Sequence, residues 1–532
     1  MHSAVYATAI LCVCLFAGIG SPQTAEPEIV EIYPNPVTPG DSGEFVRITA
    51  PEGTNISAYR LADEQASVRL SARPSTTATN RSYLTFSTAA NRTQSVTKHN
   101  VVSLPERIQL ANNGERVQLL RNGTVVDEVR YGRAPEGERY NTTSETWEAL
   151  GRTDQPIVTQ TGEDIEAFVL PDEPARAVHF LSNATERILL AGYTISSDDY
   201  IDELIEAHNR GVTVTVLLEA SPVGGLSSQS ASALDRLTRS GIDVQVISGE
   251  LARYRYHHPK YAIVDDRALV TTENWKRSGL GGESSRGWGV ITDQQHIVTG
   301  LAETFQADSS WVDTQSWLNS EKQTVTEEEP ADKQFPQQFE AASLPVDRTH
   351  LLLAPDNLEA TLTETIRNAE ESIDIMQVQI GSRGFPLLTT AIDAAKRGVE
   401  VRILLSGAWY AEEENRQLKR WLDKQAASKD LSLSVRIAEP DGQFEKIHAK
   451  GLIVDGNKTF VGSANWNNNS VRENREVGLL LEGQAVGDYF QTVFESDWSS
   501  DEGTDVPVGY ILACLVGAII AVIAGQKIRF EE

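Results

Sequence analysis

Hydrophobic spacing changes character once along the chain. Up to about residue 152, apolar positions come in short alternating runs. Ile29-Val30-Glu31-Ile32-Tyr33 opens them, Pro34-Asn35-Pro36 breaks the run, and Glu44-Phe45-Val46-Arg47-Ile48 alternates as a half-buried strand does. Farther on, Arg116-Val117-Gln118-Leu119-Leu120 and Thr124-Val125-Val126-Asp127-Glu128-Val129 flank Arg121-Asn122-Gly123. Asn-Gly between two such runs marks a hairpin, because both central residues of a type I′ turn need positive φ. No helical period competes, so the pattern predicts an all-β sandwich over 26–152.

Beyond a hinge at Pro171 to Pro174, strand and helix alternate. Arg187-Ile188-Leu189-Leu190-Ala191-Gly192-Tyr193 reads as a buried strand. Residues 200–209 carry apolar positions at helical spacing and stop at Arg210-Gly211, and 212–218 alternates as a strand leading to Val244-Gln245-Val246-Ile247. This order predicts parallel α/β architecture. It then returns as Ser372-Ile373-Asp374-Ile375-Met376, a helix over 386–396 ended by Arg397-Gly398, a strand over 399–405, and Ser434-Val435-Arg436-Ile437. The copies keep register, 187 positions apart at Arg210 and Arg397 and 190 apart at His258 and His448. Few explanations rival an internal duplication. We draw lobe 1 at 173–315 and lobe 2 at 345–500. Between them 316–344, with Glu327-Glu328-Glu329-Pro330 and Gln337-Gln338, reads as an acidic, solvated linker.

The two ends have their own texture. Residues 4–18 are apolar and give way to small and polar residues by Ala25, the pattern of a secretory signal over 1–25. Residues 506–525 carry no charge and are followed by Lys527 and Arg529. That is about the ~20 residues a bilayer-spanning helix needs, and the basic flank places the tail inside. The expectation is a single-pass cell-membrane protein with its folded domains outside, lobe 2 held close to the membrane. Asn-x-Ser/Thr triplets at Asn55, Asn80, Asn91, Asn122, Asn141 and Asn183 agree with an exported body. The net charge of −28 and pI near 4.8 argue against a general nucleic-acid-coating role, since phosphate binding runs on Lys and Arg. Cys12, Cys14 and Cys514 all fall in the apolar terminal segments, which excludes a disulfide framework in the body.

The chemistry concentrates in one repeated segment. Ile447-His448-Ala449-Lys450-Gly451-Leu452-Ile453-Val454-Asp455 is followed by Gly462-Ser463-Ala464-Asn465-Trp466. Earlier, His258-Pro259-Lys260-Tyr261-Ala262-Ile263-Val264-Asp265 is followed by Thr271-Thr272-Glu273-Asn274-Trp275. In each copy the His and the Lys occupy alternate positions and so share one face of an extended chain. Imidazole can act as nucleophile or general acid near neutral pH. The lysines supply positive charge to a phosphoryl group whose oxygens gain charge during transfer. Asn274, Ser463 and Asn465 can add neutral donors to those oxygens. Asp265 and Asp455 complete the motifs, by holding the turn or orienting a ring. His257 next to His258 introduces an ambiguity that the spacing to Lys260 and Asp265 resolves in favour of His258. No His/Cys/carboxylate cluster has metal-ligand spacing, so a mechanism without metal or cofactor is expected. Arg253, Arg255, Lys276, Arg277, Lys446, Arg472 and Arg475 gather near the motifs and predict an electropositive mouth for a phosphodiester.

These two motif copies and their Gly-Ser-x-Asn-like turns resemble the phospholipase D superfamily over roughly 177–498. The resemblance implies a two-lobed α/β phosphodiesterase with one active site between the lobes. One His forms a phosphohistidine, the other protonates the leaving oxygen, and water or another alcohol resolves the intermediate. It favours His258 as nucleophile and His448 as acid. The second copy is complete, with Gly462, Ser463, Asn465 and, at the family's later positions, Asn474 and Glu476. The first has Thr271 and Thr272 where Gly and Ser are usual, and Ser285 and Gly287 opposite Asn474 and Glu476. Which His attacks therefore stays open. At the N-terminus, Glu31-Ile32-Tyr33-Pro34-Asn35-Pro36, Gly43-Glu44-Phe45-Val46, the hairpin and Ser144-Glu145-Thr146-Trp147 resemble a lamin-tail domain, which implies an immunoglobulin-like sandwich. Taken together, the sequence predicts a multidomain chain: an immunoglobulin-like β-sandwich, a duplicated bilobal α/β domain and a C-terminal transmembrane helix. Phospholipid headgroup hydrolysis or transfer is the preferred activity and extracellular nuclease activity the alternative. A degenerate binding scaffold would have lost a His or Lys from a motif, and none is lost.

Overall fold

The computed structural model describes residues 26–499, except 37–38, 52, 72–80, 96, 98–99, 151–152, 250–251, 312, 321–323, 329–330 and 441. The chain divides into two compact units at Leu150/Gly151.

The first unit is β-rich. Among the described residues, six strands form one sheet, with Glu28–Tyr33 and Phe45–Pro51 at its centre, and four strands form a second. Ile32, Val46 and Ile48 of the first sheet and Leu61, Val117 and Leu119 of the second meet in a shared apolar core. The expected hairpin joins Glu115–Arg121 to Thr124–Tyr131, with Asn122 at φ 51° and Gly123 at φ 81°. Both angles are what the type I′ turn demands.

Among the described residues, the second unit holds two large sheets of the same design. In lobe 1 the strands Asp243–Ile247, Thr213–Glu219 and Arg187–Gly192 run parallel. The sheet continues antiparallel through Tyr261–Val264, Arg267–Thr271, Ser285–Thr292 and Asp164–Leu170. Lobe 2 repeats that order with Leu433–Ile437, Glu400–Leu405, Ser372–Gln377, Gly451–Val454, Lys458–Gly462, Glu476–Glu482 and Arg348–Ala354. The helix Pro386–Arg397 shows how local sequence sets an element. Pro386 starts it where no N–H is needed, and Gly398 at φ 101° stops it while its N–H caps Ala394 and Ala395 carbonyls. Leu387, Leu388, Ala391 and Ile392 form its buried stripe.

The lobes also exchange edges. Val158–Thr161, just before lobe 1, pairs with Arg348–Ala354 of lobe 2, and Ala342–Pro345, just before lobe 2, pairs with Asp164–Leu170 of lobe 1. The stretch expected as linker thus contributes strands at both ends, with Thr314–Ser316 also on the lobe 1 sheet. Between the lobes, Trp288 packs on Phe490 with ring centroids 4.6 Å apart. A Cβ at Gly451 would sit 2.2 Å from the Trp288 ring, so only glycine admits it.

The membrane-spanning helix expected at 506–525 is not upheld. No helix among the described residues is long and apolar enough to cross a membrane. The longest of them, Glu412–Lys429, is charged along its length and buries only Asn415, Leu418 and Leu422. The single-pass location with domains outside the cell, which rested on that helix, falls with it. Residues 506–525 and the leader expected at 1–25 lie outside the described residues.

Candidate active site

The two His-x-Lys segments face each other because each is hung from the opposite lobe. The His258 N–H donates to the Arg475 carbonyl at 2.9 Å, and the His448 N–H donates to the Arg286 carbonyl at 3.0 Å. Lys260 and Lys450 are fully buried. Lys260 Nζ donates to the His258 carbonyl at 3.0 Å and lies 3.1 Å from His258 Nε2. Lys450 Nζ donates to the His448 carbonyl at 2.5 Å and reaches across to the Thr272 carbonyl at 3.4 Å.

Carboxylates also cross the interface. His258 Nδ1 is hydrogen-bonded to Glu476 Oε2 at 2.8 Å. That carboxylate is saturated: Ser463 Oγ donates to Oε2 at 2.5 Å, and Ser470 Oγ and Asn474 Nδ2 donate to Oε1 at 2.9 and 3.0 Å. His448 Nδ1 lies 3.1 Å from Glu273 Oε2, without the alignment of a hydrogen bond and an ion pair only when the ring is protonated. Two buried lysines and two buried glutamates balance each other around the rings.

Burial controls the titration of these groups. It pulls both His258 and His448 down to about 4, against the upward pull of Glu476 on the first and Glu273 on the second. Lys260 is lowered to about 8 for the same reason, and Lys450 is held well below the ordinary lysine range by burial and by Lys260. Burial alone would raise the Glu476 carboxyl; His258, Lys260 and the Ser463 hydroxyl outweigh it and hold it below the usual range.

The other predicted residues separate into two groups. Asn274 and Asn465 occupy the same place in the two turns, each fixed by the buried Trp that follows it. Trp275 and Trp466 bridge to Ile195 and Ile380 beyond the strands Arg187–Gly192 and Ser372–Gln377. Gly462 is required by close approach, because a Cβ there would meet Gly478 Cα at 2.6 Å. Ser463 and Thr272 both receive a backbone N–H at 3.0 Å, from Val477 and Trp288. Asp265 and Asp455 stand apart from the rings. Asp265 accepts from the Thr185, Glu186 and Arg187 N–H groups, and Asp455 from those of Glu370, Glu371 and Ser372. With φ of 54° and 52° each closes its own turn and clamps the start of the neighbouring strand. The ring of His257 is fully buried, 3.5 Å from Asp308.

Among the described residues, six of the seven cations of the predicted electropositive mouth, all but Lys446, are paired with carboxylates. Arg253 and Arg475 are buried against Asp313 and Asp308, while Arg255, Lys276, Arg277 and Arg472 pair with Glu473, Glu328, Glu283 and Glu359. In so acidic a chain, carboxylates were available to each of them. A cleft of about 310 Å³ opens beside Lys276 and Lys446, lined also by Tyr193, Val223, Asn274 and the carboxylates Glu327, Glu328 and Glu445. Spacing did not expose Tyr193, whose ring stands edge-on to His258 at 4.5 Å, or Glu273. The one clue to Glu273 was an acidic residue where the second copy has Ala464.

A duplicated α/β fold whose paired His-Lys segments meet across the lobes defines a phospholipase D-like enzyme. Residues 177–309 and 362–498 both match the family model described as "Cardiolipin synthase, PLD-like domain". The matches take in about half of the chain, and the chain belongs to that family. It is 29% identical over 111 residues to the mitochondrial cardiolipin hydrolase of Chlamydomonas reinhardtii, covering 21% of this chain and 46% of that protein. To cardiolipin synthase A of Yersinia pseudotuberculosis it is 29% identical over 101 residues, 19% of each chain. The chain thus spans half or less of the length of these curated relatives. In fold it is similar to a phosphatidylserine synthase of Haemophilus influenzae, with TM-score 0.50 and 13% identity over 69% of this chain and 96% of the other.

Proposed function

We propose that the protein hydrolyses or transfers phospholipid headgroup phosphodiesters through a covalent phosphohistidine, with His258 as nucleophile and His448 as acid. The observation that carries this is the His258 Nδ1–Glu476 hydrogen bond at 2.8 Å. It holds the proton on Nδ1 and keeps Nε2 unprotonated, so that its lone pair, 3.1 Å from Lys260 Nζ in the free enzyme, turns to phosphorus when the lysine moves to the phosphoryl oxygens. In the first step His258 Nε2 bonds to phosphorus and the P–O bond to the leaving group breaks. His448 gives its Nε2 proton to the departing oxygen. In the second, water or an alcohol attacks phosphorus, His448 takes its proton, and the P–N bond breaks. Lys260 and Lys450, with Asn274, Ser463 and Asn465 as neutral donors, offset the charge that builds on the phosphoryl oxygens.

Two features support a lipid over a nucleic acid. The rim arginines and Lys276 are spent on carboxylates, which removes the charge a polyanion needs. In addition, Val223, Trp409 and Tyr410 are 74%, 76% and 43% exposed. Val223 lines the cleft, and Lys446 of the same cleft lies 5.8 Å from the Tyr410 ring. Exposed Trp and Tyr suit an acyl–headgroup boundary. The β-sandwich, lamin-tail-like in sequence, is assigned a binding or spacing role beside the enzyme.

The test is turnover of phosphatidylglycerol vesicles and single-stranded DNA by the full chain, wild type and His258→Ala and His448→Ala. Lipid turnover lost in both variants, with an acid-labile phosphoryl label on wild-type protein, is the expected result. DNA cleavage alone would move the assignment to a nuclease, and no turnover of either would overturn the enzyme reading for these substrates.

A further inference from the structure

The turns of the two lobes make matching backbone bonds to the following strand, and this equivalence exposes an exchange. Ser463 Oγ accepts from the Val477 N–H at 3.0 Å, and the Ser463 N–H donates to the Val477 carbonyl at 2.9 Å. In lobe 1 Thr272 makes the same pair of bonds with Trp288, both at 3.0 Å. Thr272 therefore stands for Ser463 and Trp288 for Val477. It follows that Gly287 stands for Glu476, and Glu273 for Ala464. Lobe 2 keeps its carboxylate on the strand and a small residue in the turn. Lobe 1 has the small residue on the strand and the carboxylate in the turn.

The space confirms that these are linked changes. A Cβ at Gly287 would lie 2.3 Å from Glu273 Cγ and 2.5 Å from its Oε1. The Glu273 side chain fills the seat that a residue-287 side chain would take. From there Glu273, buried at 1% exposure, reaches His448 Nδ1 at 3.1 Å, as Glu476 reaches His258 from the other side. Its second oxygen, Oε1, is buried with no hydrogen-bond partner among the described residues. Glu476 by contrast has both oxygens filled. A buried carboxylate with one oxygen unpaired costs stability unless the site uses it.

We infer that Glu273 is the positioning carboxylate for His448, relocated from strand position 287 to the turn, and that it sets the proton-holding power of that ring. It rests on the two-histidine reading of the site. The less saturated partner and the off-line contact leave His448 freer to turn and to exchange its proton than His258, the difference an acid–base residue needs from a nucleophile. The apparent degeneracy of the first motif copy is thus a rearrangement that keeps every charge. Thr271, Thr272 and Gly287 accommodate a glutamate that the second copy carries elsewhere.

The test uses the full chain and two readouts. In Glu273→Gln, histidine NMR titration, with ring signals assigned by His448→Ala and His258→Ala, should show the His448 midpoint falling while that of His258 stays. Losing a neighbouring negative charge disfavours imidazolium. Turnover of phosphatidylglycerol should fall roughly 10²-fold or more, with KM little changed. Glu273→Ala/Gly287→Glu should recover at least tenfold over Glu273→Ala, because it rebuilds the lobe 2 arrangement in lobe 1. An unchanged His448 midpoint in Glu273→Gln overturns the inference whether or not the double variant folds. A shifted midpoint in a protein that turns over no phosphodiester upholds the pairing and overturns the two-histidine function instead.

Discussion

Arg475 Nε lies 3.0 Å from Asp308 Oδ2, with both side chains completely buried between the lobes. The same arrangement recurs at the equivalent place, where Arg286 Nε lies 2.8 Å from Asp497 Oδ2. Each arginine adds a second aspartate, Asp356 or Asp172. Each also immediately precedes the seat of a carboxylate and offers its own carbonyl to a histidine N–H of the other lobe. Buried ion pairs give little net stability but define a geometry, and here that geometry hangs both catalytic candidates.

Removing one partner of this pair should be costly. Burial alone would raise the Asp308 carboxyl, yet Arg475 and His257 hold it down at about 2, so it stays charged at any working pH. Arg475→Met leaves that charge uncompensated and should lower unfolding free energy by about 3–5 kcal/mol. Adding Asp308→Asn should return part of the loss. Urea unfolding of the four proteins checks this; additive losses would show that the two groups do not act as a pair.

Much of this architecture was legible in the sequence. Strand and helix runs, the duplication and the 122–123 hairpin follow from periodicity and turn chemistry, which are local. The His-Lys pairs were legible because they occur twice. What crosses the lobes was not. The His258–Glu476 bond joins residues far apart in the chain, and the Glu273 exchange needs the register of two strands to be seen. The basic cluster misled because composition shows where cations are, not which carboxylates face them. The reciprocal edge strands escaped because 342–345 sits in polar, linker-like sequence.

The aspartates of the two motifs should prove structural. Asp455 gathers three backbone N–H groups ahead of the strand Ser372–Gln377, and its carboxylate is not in contact with either ring. Asp455→Ala should cost about 1–3 kcal/mol through those unsatisfied donors. Turnover per folded molecule should stay within about twofold, because no group that touches substrate is altered. Activity normalised to the folded fraction separates the two effects, and a loss of a hundredfold there would make Asp455 part of the chemistry.

The pH dependence of activity follows from the two lowered imidazoles. Both rings are held at about 4, so at neutral pH both are neutral imidazoles in the free enzyme. The proposed reaction needs one proton on the pair beyond those of two neutral rings, placed on the acid and not on Nε2 of the nucleophile. That form declines about tenfold per pH unit above the pair's titration. The ratio kcat/KM, measured with a substrate that does not titrate between pH 4 and 8, should peak below pH 6 and fall toward pH 8. Glu273→Gln should move the alkaline limb further down. A maximum above pH 7.5 would show that at least one ring keeps its proton in spite of burial.

The exposed rim offers a test of the substrate class that leaves the catalytic groups untouched. Trp409 and Tyr410 follow the strand Glu400–Leu405, and Val223 follows the equivalent strand Thr213–Glu219, so one loop from each lobe flanks the cleft. Burying a Trp side chain in a lipid interface is worth on the order of 1–2 kcal/mol, about tenfold in apparent affinity. Trp409→Ala/Val223→Ser should therefore raise the apparent KM on phosphatidylglycerol vesicles by roughly tenfold or more. With a short-chain, monomeric phosphodiester the same variant should match wild type, because no interface has to be engaged. Vesicle co-sedimentation gives the binding change directly. Equal losses on both substrates would mean that these loops shape the cleft rather than meet lipid.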